Sequence, residues 1–458
     1  MLIDKLNSSF YLSFLVGLAG VAIGVAVGFG AGALPVYVGL LLGAVTVVVF
    51  FFAQFQQAVF TLLILRSALD PFSVQQVPAA FAIGLDALTI LYVIVQILIG
   101  KKIHTDKFFW IFAGWIAFLA IWIVLPLVGW GILGTTHLID GIREWTRLFS
   151  WLMVYLLVMQ LKGRIHPQKA IPILFFSLLI PLIVGYLQLA IPSRLPAALT
   201  CPNCFNSTLG HPSTFGTFLF LFISLILWKL GHVKQNRWLW LTLLSNLAFF
   251  MVMTRSLTSL IMMSVFVIVL IVPKLNLFRL IGATIFIAII FYLFASTDFG
   301  SEKLAGLLDT PIFNHDLDIS RTILLSFGDG NSANWRIAQW VFLIDAWKQS
   351  PLLGYGLGTS KYITFFQNYA HNDYLRYLAE TGIIGLTGFI LFLVMQVVYL
   401  VKYLRNSPLG SPRRNICITM IAIFAAIIIG MATDNVWNHT TLFFYWWLLF
   451  AIVGWEEG

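Results

Sequence analysis

Apolar segments of about twenty residues recur along the whole of this chain. A helix needs about 20 mostly apolar residues to cross the hydrocarbon core of a bilayer, and continuous rather than alternating apolar runs favour helices over a β-barrel. Charged residues make up only 10% of the 458 residues, against about 25% in a typical soluble domain. The sequence therefore predicts an all-α polytopic membrane protein, whose net charge of +9 indicates cytoplasmic loops and anionic lipid rather than nucleic acid.

Fourteen segments fit this description, and twelve spans are also compatible with the sequence because the first two segments could form one broken hairpin. The expected spans are 10–30, 34–53, 56–69, 81–100, 108–128, 140–161, 169–190, 212–230, 237–254, 256–272, 276–296, 382–404, 413–434 and 440–455. The first of them lacks a strongly basic start, so we interpret it as a membrane helix and not as a cleaved signal.

Basic residues indicate how these helices are oriented. They cluster in alternate connections, at Lys101, Lys102, Lys107, Lys162, Arg164, Lys169, Lys229, Lys234, Arg237, Lys274, Arg279, Lys402, Arg405, Arg413 and Arg414. Positively charged loops stay in the cytoplasm, which predicts that both termini are cytoplasmic. The external side then receives the polar stretch 297–370, which is too long for an idle connection and for which we expect short helices, including one over Asn334–Gln349.

This alternation divides the chain into three expected parts. Residues 1–296 contain the first eleven spans, and residues 297–370 form the large external loop. Residues 371–458 contain a polar motif helix and the last spans. We find no convincing internal repeat.

The most polar helix-like run in the chain is His371-Asn-Asp-Tyr-Leu-Arg-Tyr-Leu-Ala-Glu-Thr-Gly382. The neutral imidazole of His371 can act as a base near pH 7, although a single histidine is more often a satisfied polar residue. Tyr374 shares its helical face. Glu380 lies about half a turn round the helix from His371, so no direct pairing of these two is predicted. Arg376 and Glu380 are four residues apart and are expected to form an ion pair.

Arginines on the external side are candidate anion ligands, because a guanidinium binds two phosphate oxygens and keeps its charge. Arg255 lies in a tight turn between two apolar segments, where it either snorkels to the interface or clamps an anion. Arg336 near the start of the expected external helix is either a solvated helix-end residue or, with Arg255, part of a diphosphate site. Arg143 and Arg147, beside Glu144, form either a buried charge network or a second anion-binding patch.

Two loop patterns have open interpretations. Cys201 and Cys204 lie in an external loop and can form a structural disulfide, remain free thiols or act in redox chemistry, and no second pair completes a zinc site. His315-Asp316-Leu-Asp318 has the D-x-D spacing of some divalent-cation sites. Solvated loop acids are the usual explanation of such a short and common pattern, so we expect no metal.

His211 marks the external start of the eighth expected span. Pro212 follows it and suits the first turn of a helix. His211 can therefore cap this helix or line a substrate site.

Together these motifs resemble the O-antigen ligase and polymerase superfamily of bacterial membrane glycosyltransferases. The C-terminal block His371-Asn372…Leu375…Glu380…Gly382 matches the family's H-N-x-x-L…E-x-G pattern. The similar stretches upstream are Trp335-Arg336 with Pro351-Leu-Leu-Gly-Tyr-Gly-Leu-Gly358, the turn Thr254-Arg255-Ser256 with Arg and Ser transposed, and Leu209-Gly210-His211-Pro212. The similarity extends from about Thr208 to Leu391.

The resemblance implies an inverting, metal-independent transfer, without a cofactor, at the outer face of the bacterial cytoplasmic membrane. The donor would be a glycan on undecaprenyl diphosphate, and the acceptor would be lipid A-core for a ligase or a lipid-linked glycan for a polymerase. His371 would be the base, and Arg255 and Arg336 would bind the diphosphate. Supporting or substrate-binding roles are expected for Asn372, Tyr374, Arg376, Glu380, His211, Arg143 and Arg147.

The chemistry of the residues agrees with this implication. A glycosyl diphosphate has a good leaving group, so arginines that stabilise its charge and a base for the acceptor hydroxyl supply the catalysis. A solute transporter of the bicarbonate type is the alternative, but it predicts paired repeats and charged or broken helices near the membrane midplane. A non-catalytic scaffold in an envelope assembly also stays open, and no residue separates a ligase from a polymerase.

Overall fold

The computed structural model describes residues 35–202, 204–232, 235–271, 277–311, 318–328 and 331–455. Every regular element in these ranges is helical, which confirms the all-α class. The α-helices in chain order are α1 (Pro35–Ala53), α2 (Phe55–Leu65), α3 (Val77–Leu98), α4 (Lys107–Leu119), α5 (Ile121–Leu127), α6 (Leu138–Met159), α7 (Pro167–Ile173), α8 (Leu179–Ala190), α9 (Pro212–Leu230), α10 (Arg237–Met253), α11 (Leu257–Ile271), α12 (Leu277–Ala295), α13 (Asp298–Leu308), α14 (Ile319–Leu325), α15 (Ser332–Trp347), α16 (Asp373–Arg405), α17 (Pro412–Gly430) and α18 (Thr440–Gly454).

Each expected span overlaps one or more of these helices, except 10–30, which lies outside the described residues. Within the described ranges, six stretches are long and apolar enough to cross a membrane: Val77–Leu98, Lys107–Leu127, Pro167–Ala190, Pro212–Leu230, Asp373–Arg405 and Pro412–Gly430. The shorter apolar helices are Gly43–Ala53, Arg237–Met253, Leu257–Leu270 and Thr440–Gly454. The chain is thus a polytopic membrane protein, while the total of twelve to fourteen spans stays a prediction.

Helix α18 lies in the interior of the bundle. All of its residues from Thr441 to Gly454 are buried, as expected of a helix that is apolar on every side. It packs against α6 and α9. Large aromatic side chains fill this interior, and Trp151, Trp446 and Trp447 are fully buried there. Inside a membrane such packing stabilises through close contact between side chains, because lipid tails are as apolar as the residues.

Helices α13, α14 and α15 lie in the described residues of the predicted external stretch. Helix α15 lies within two residues at each end of the helix expected over Asn334–Gln349, which confirms that prediction. The indole of Trp340 donates to the carbonyl of Ala370 at 2.7 Å, and the amide of Gln339 donates to the carbonyl of Asn368 at 2.6 Å. Helix α15 therefore lies directly against the segment that leads into His371.

Helix α16 is kinked at Gly382, where φ is 65°. This left-handed conformation is readily adopted by glycine and rarely by other residues. The N–H of Ile383 donates to the carbonyl of Pro351 at 2.9 Å, and the N–H of Ile384 donates to the carbonyl of Leu352 at 3.3 Å. Both N–H groups therefore leave the helix and bind the preceding loop.

The carbonyls that these two N–H groups would meet in a regular helix are also satisfied by the loop. Ala379 accepts the N–H of Tyr355 at 3.0 Å, and Glu380 accepts the N–H of Gly356 at 2.8 Å. Buried backbone groups must find partners somewhere, and here the loop replaces two helical hydrogen bonds completely. The kink and the glycine-rich loop are thus one structural unit.

We expect Gly382→Ala to lower the free energy of unfolding by about 3 kcal/mol or more, from backbone strain together with overpacking. An added Cβ would overlap the carbonyl of Leu352, and both atoms belong to backbone that cannot move aside cheaply. The measurement is the melting temperature of purified protein in detergent. Gly114→Ala in α4 is the matched control, because nothing lies near a Cβ at that position. Equal melting temperatures for the two variants would contradict the prediction.

Candidate active site

His371 and Asp434 form a hydrogen-bonded pair at one end of the bundle. The Nδ1 atom of His371 lies 2.8 Å from Oδ1 of Asp434, which belongs to the connection between α17 and α18. A carboxylate at Nδ1 accepts the proton there and leaves the lone pair on Nε2. Within the described ranges no protein group bonds to Nε2. The side chain of His371 is 23% exposed.

The backbone of His371 adopts an uncommon conformation, with φ at 49°. Residues other than glycine rarely occupy this left-handed region, and such strain persists only where the surroundings fix it. The N–H of His371 donates to Oδ1 of Asn435 at 2.9 Å. The ring of Trp335 meets the imidazole edge-on, with 5.6 Å between the ring centroids. Asp434 and Trp335 therefore orient the imidazole, and Asn435 holds its backbone.

Asp434 is buried, yet it is ionised. Burial would raise its pKa, but the hydrogen bond from His371, the charges of His439 and His371 when protonated, and the charge of Arg336 together lower the pKa below its usual range. The hydroxyl of Thr258 donates to Oδ2 at 3.2 Å. Asp434 is thus an anion at neutral pH, which suits it to orient His371 and to stabilise a protonated imidazole.

Two further histidines lie within electrostatic reach of this pair. His439 precedes α18, and its Nδ1 lies 2.9 Å from the hydroxyl of Thr217. Burial lowers the pKa of His439 to about 4, so this ring is neutral at pH 7. His211 precedes α9, and its Nδ1 accepts the N–H of Ser213 at 3.2 Å, which is a capping contact. Burial also lowers the pKa of His211, with a smaller opposing contribution from Asp434.

Arg255 and Arg336 lie at the same end of the bundle. Arg255 occupies the turn between α10 and α11, three residues before Thr258, and its guanidinium lies 5.6 Å from the ring centroid of Phe299. Arg336 lies near the start of α15, and its charge acts on Asp434. In the part of the chain that the structure describes, neither guanidinium has a hydrogen bond or an ion pair with the protein. Both arginines therefore remain available to an anion.

Arg376 is the centre of a buried charge cluster near this pair. Its side chain is 1% exposed and lies 2.8 Å from Oε1 of Glu144 and 3.0 Å from Oε1 of Glu380. Arg147 also pairs with Glu144, and both arginines donate to the amide oxygen of Asn438. The predicted ion pair between Arg376 and Glu380 is thus present, in a buried rather than an exposed setting. The cluster joins α6 and α16 to the residues that precede α18.

Glu380 also fastens the glycine-rich loop that precedes His371. Its carboxylate accepts the N–H of Gly358 at 2.9 Å and the hydroxyl of Ser360 at 2.6 Å. Gly354, Gly356 and Gly358 have φ values of 68°, 115° and 77°, and a Cβ on Gly354 would overlap the backbone of Glu380. These contacts explain why the E-x-G motif and the glycine motif occur together, and they give Glu380 a structural position.

Three further residues predicted for the site lie outside the His371–Asp434 pair: Asn372, Tyr374 and Arg143. Asn372 caps α16, because its side-chain oxygen accepts the N–H groups of Tyr374 and Leu375, each at 3.1 Å. The hydroxyl of Tyr374 donates to the carbonyl of Ile428 at 2.8 Å. Both residues therefore hold the start of α16 in place. Arg143 is exposed on α6, in contrast to Arg147 in the buried cluster.

The two loop patterns are placed as follows. Cys201 and Cys204, between α8 and α9, are joined as a disulfide with their Cα atoms 5.2 Å apart. His315 and Asp316 lie outside the described residues. Asp318 caps α14, and its carboxylate accepts the N–H of Arg321 at 2.6 Å. The described ranges contain no group of three or more side chains that could hold a metal ion.

No motif in the sequence marked four residues of this site: Asp434, Asn435, Asn438 and His439. The span expected over 413–434 ran four residues too far, because α17 ends at Gly430. That overrun assigned Asp434 to the membrane. The available signal was the polar run from Thr433 to His439 between two apolar segments, the same pattern that marked His371.

These features define a class: a polytopic membrane protein whose regular elements in the described ranges are all helical. At one end it has a histidine–carboxylate pair, a buried charge cluster and two arginines that no described residue pairs. Residues 240–390, about a third of the chain, match the family described as O-antigen ligase. The resemblance to the O-antigen ligase superfamily is thereby confirmed over this region. The matched residues include Arg255, Arg336, His371 and Glu380, and they end before Asp434.

Curated relatives agree with this family. A provisionally named polysaccharide ligase from Rickettsia conorii is 32% identical over 132 residues, which cover 26% of this chain and 29% of the relative. A provisionally named polysaccharide ligase from Rickettsia typhi is 29% identical over 164 residues, which cover 32% of this chain and 37% of the relative. The chain thus matches only about a third of the length of these relatives.

Proposed function

We propose that this protein transfers a glycan from undecaprenyl diphosphate to a sugar hydroxyl at the outer face of the bacterial cytoplasmic membrane. The family match and the polysaccharide ligases among its relatives support this class of reaction. The observation that carries the proposal is the 2.8 Å contact between Nδ1 of His371 and Asp434. This contact leaves Nε2 as an oriented base at the same end of the bundle as Arg255 and Arg336.

In the proposed reaction the acceptor hydroxyl attacks the anomeric carbon of the donor. Nε2 of His371 takes the hydroxyl proton while the new C–O bond forms. The C–O bond to the diphosphate breaks at the same carbon, and its electron pair leaves with the diphosphate. A single displacement of this kind inverts the anomeric configuration. Asp434 stabilises the imidazolium that results, as the carboxylate does in other histidine–carboxylate pairs.

The leaving diphosphate gains negative charge during this step. Arg255 and Arg336 would bind it, and preorganised cations that meet developing charge lower the barrier. Helices α9, α11 and α16 begin at this end of the bundle, and their positive dipole ends add to the attraction for an anion. These groups supply the charge that a metal supplies in other glycan transfers, so the proposed reaction needs no divalent cation.

The proposal is tested by incubating purified, detergent-solubilised protein with lipid-linked glycan in EDTA, with and without lipid A-core. We expect transfer in the chelator with inversion at the anomeric carbon, which NMR of the product measures. A ladder of products without core identifies a polymerase, and one glycan on core identifies a ligase. Dependence on a divalent ion would overturn the metal-independent chemistry and direct attention to His315, Asp316 and Asp318. Monodisperse protein that yields no product under any of these conditions would contradict the proposal itself.

A further inference from the structure

Two cations lie against one aromatic ring in the external part of the protein. Cζ of Arg255 is 5.6 Å and Nζ of Lys303 is 5.5 Å from the ring centroid of Phe299, in α13. Both distances fall within the range of cation–π attraction. The distance between Cζ of Arg255 and Nζ of Lys303 is therefore at most the sum of these two distances. Phe299 thus gathers two positive charges into one region without neutralising either.

Lys303 is also joined to the helix that carries Arg336. Its Nζ donates to the hydroxyl of Ser332 at 3.2 Å. Ser332 precedes Arg336 by four residues in α15, and side chains at this spacing share one face of a helix. Lys303 therefore connects the turn of Arg255 with the helix face of Arg336.

No acid of the described residues neutralises Lys303. Its contacts are the hydroxyl of Ser332 and the ring of Phe299. An ammonium group has three donors, so two of them have no acceptor among the described residues. Lys348 in the same external stretch differs, since it forms an ion pair with Asp345 at 2.7 Å. Like charges held close together repel one another, and an anion placed among them removes that cost.

We infer that Lys303 is a third cationic ligand of the donor diphosphate, placed between Arg255 and Arg336. This inference rests on the proposed function and adds a residue to it. The donor is a diphosphate diester with two negative charges, and the departing monoester carries up to three. A third cation thus matches the leaving group better than the bound donor, so Lys303 favours the transition state over the ground state.

The first test is Lys303→Gln, which removes the charge and keeps most of the length. We expect kcat/KM for glycan transfer to fall by about ten- to a hundredfold, at or below the loss typical of one transition-state donor, with the larger part of the loss in kcat. Inhibition by inorganic diphosphate should weaken by about tenfold, which corresponds to roughly 1.4 kcal/mol. Lys303→Arg keeps the charge and should retain transfer within a few-fold. Lys348→Gln is the matched control and should match the wild type.

A double variant separates shared binding from a distant structural effect. If Lys303 and Arg255 hold the same diphosphate, the losses in Lys303→Gln and Arg255→Gln should be non-additive in the double variant. Wild-type transfer and wild-type diphosphate inhibition in Lys303→Gln would overturn the inference and leave the proposed function intact. Binding of inorganic diphosphate to the purified protein can also be measured directly by calorimetry, without turnover, and should weaken by the same factor in Lys303→Gln. This binding measurement judges Lys303 even if the protein transfers no glycan and the proposed function fails.

Discussion

His371→Ala is expected to lower the rate of glycan transfer by about a thousandfold, within the range of general-base catalysis by a positioned side chain. The variant keeps Arg255 and Arg336, the proposed diphosphate ligands, but lacks the imidazole that would take the acceptor proton. Asp434→Asn should also lower the rate, because an amide does not stabilise a protonated imidazole as a carboxylate does. The measurement is the initial rate of transfer from lipid-linked glycan by purified protein, with the amount of folded protein checked by size-exclusion chromatography.

The matched control for this variant is His166→Ala. His166 is exposed before α7, away from the pair, and should tolerate the change with full activity. Loss of transfer in His371→Ala together with normal membrane insertion would favour an enzyme over a transporter or a scaffold. Retained transfer would remove His371 as the base. The contact between His371 and Asp434 would then have to be assigned a structural role.

Arg376→Met is expected to destabilise the protein by about 3–5 kcal/mol, the usual effect of removing one partner from a buried ion pair. The variant leaves Glu144 and Glu380 buried without their shared cation. Net stabilities are typically about 5–15 kcal/mol, so this loss is a large fraction of the total and should lower both the melting temperature and the yield of folded protein. The measurements are the yield of monodisperse protein and its melting temperature in detergent.

Two further variants make the Arg376 prediction specific. Lys348→Met breaks an exposed pair with Asp345 and should change stability by less than about 1 kcal/mol. Arg376→Met combined with Glu144→Gln and Glu380→Gln removes the buried negative charge and should recover part of the lost stability. A wild-type melting temperature for Arg376→Met alone would show that Arg376 does not hold the cluster together.

The positions of the helices could be predicted from the sequence because local composition determines them. The expected helix at 212–230 coincides with α9, and Arg336, His371 and Arg255 were assigned to one side from the spacing of basic loops alone. Two arginines and a histidine can bind one substrate only if they lie on the same side of the membrane. The predicted topology therefore led to a functional hypothesis. The roles of these three residues in catalysis remain predictions.

The partners of these residues depend on contacts between distant parts of the chain, which no local pattern encodes. His371 and Asp434 are 63 positions apart, and Arg376 and Glu144 belong to helices α16 and α6. The sequence around Lys303 has the composition of an ordinary protein surface. Only the ring of Phe299, which both cations contact, relates Lys303 to Arg255. The pair, the cluster and the third cation therefore required the folded arrangement.

Because α18 is enclosed by protein, the residues that precede it can lie deeper in the membrane than those of a lipid-facing helix. Its 15 residues span about 22 Å at 1.5 Å per residue, less than the roughly 30 Å thickness of the hydrocarbon core. Lipid-facing helices must compensate for such a mismatch by thinning the bilayer or by snorkelling. A helix surrounded by protein has no such requirement. The polar residues that precede α18, Asp434 and His439 among them, are buried and can therefore lie deeper than the lipid headgroups.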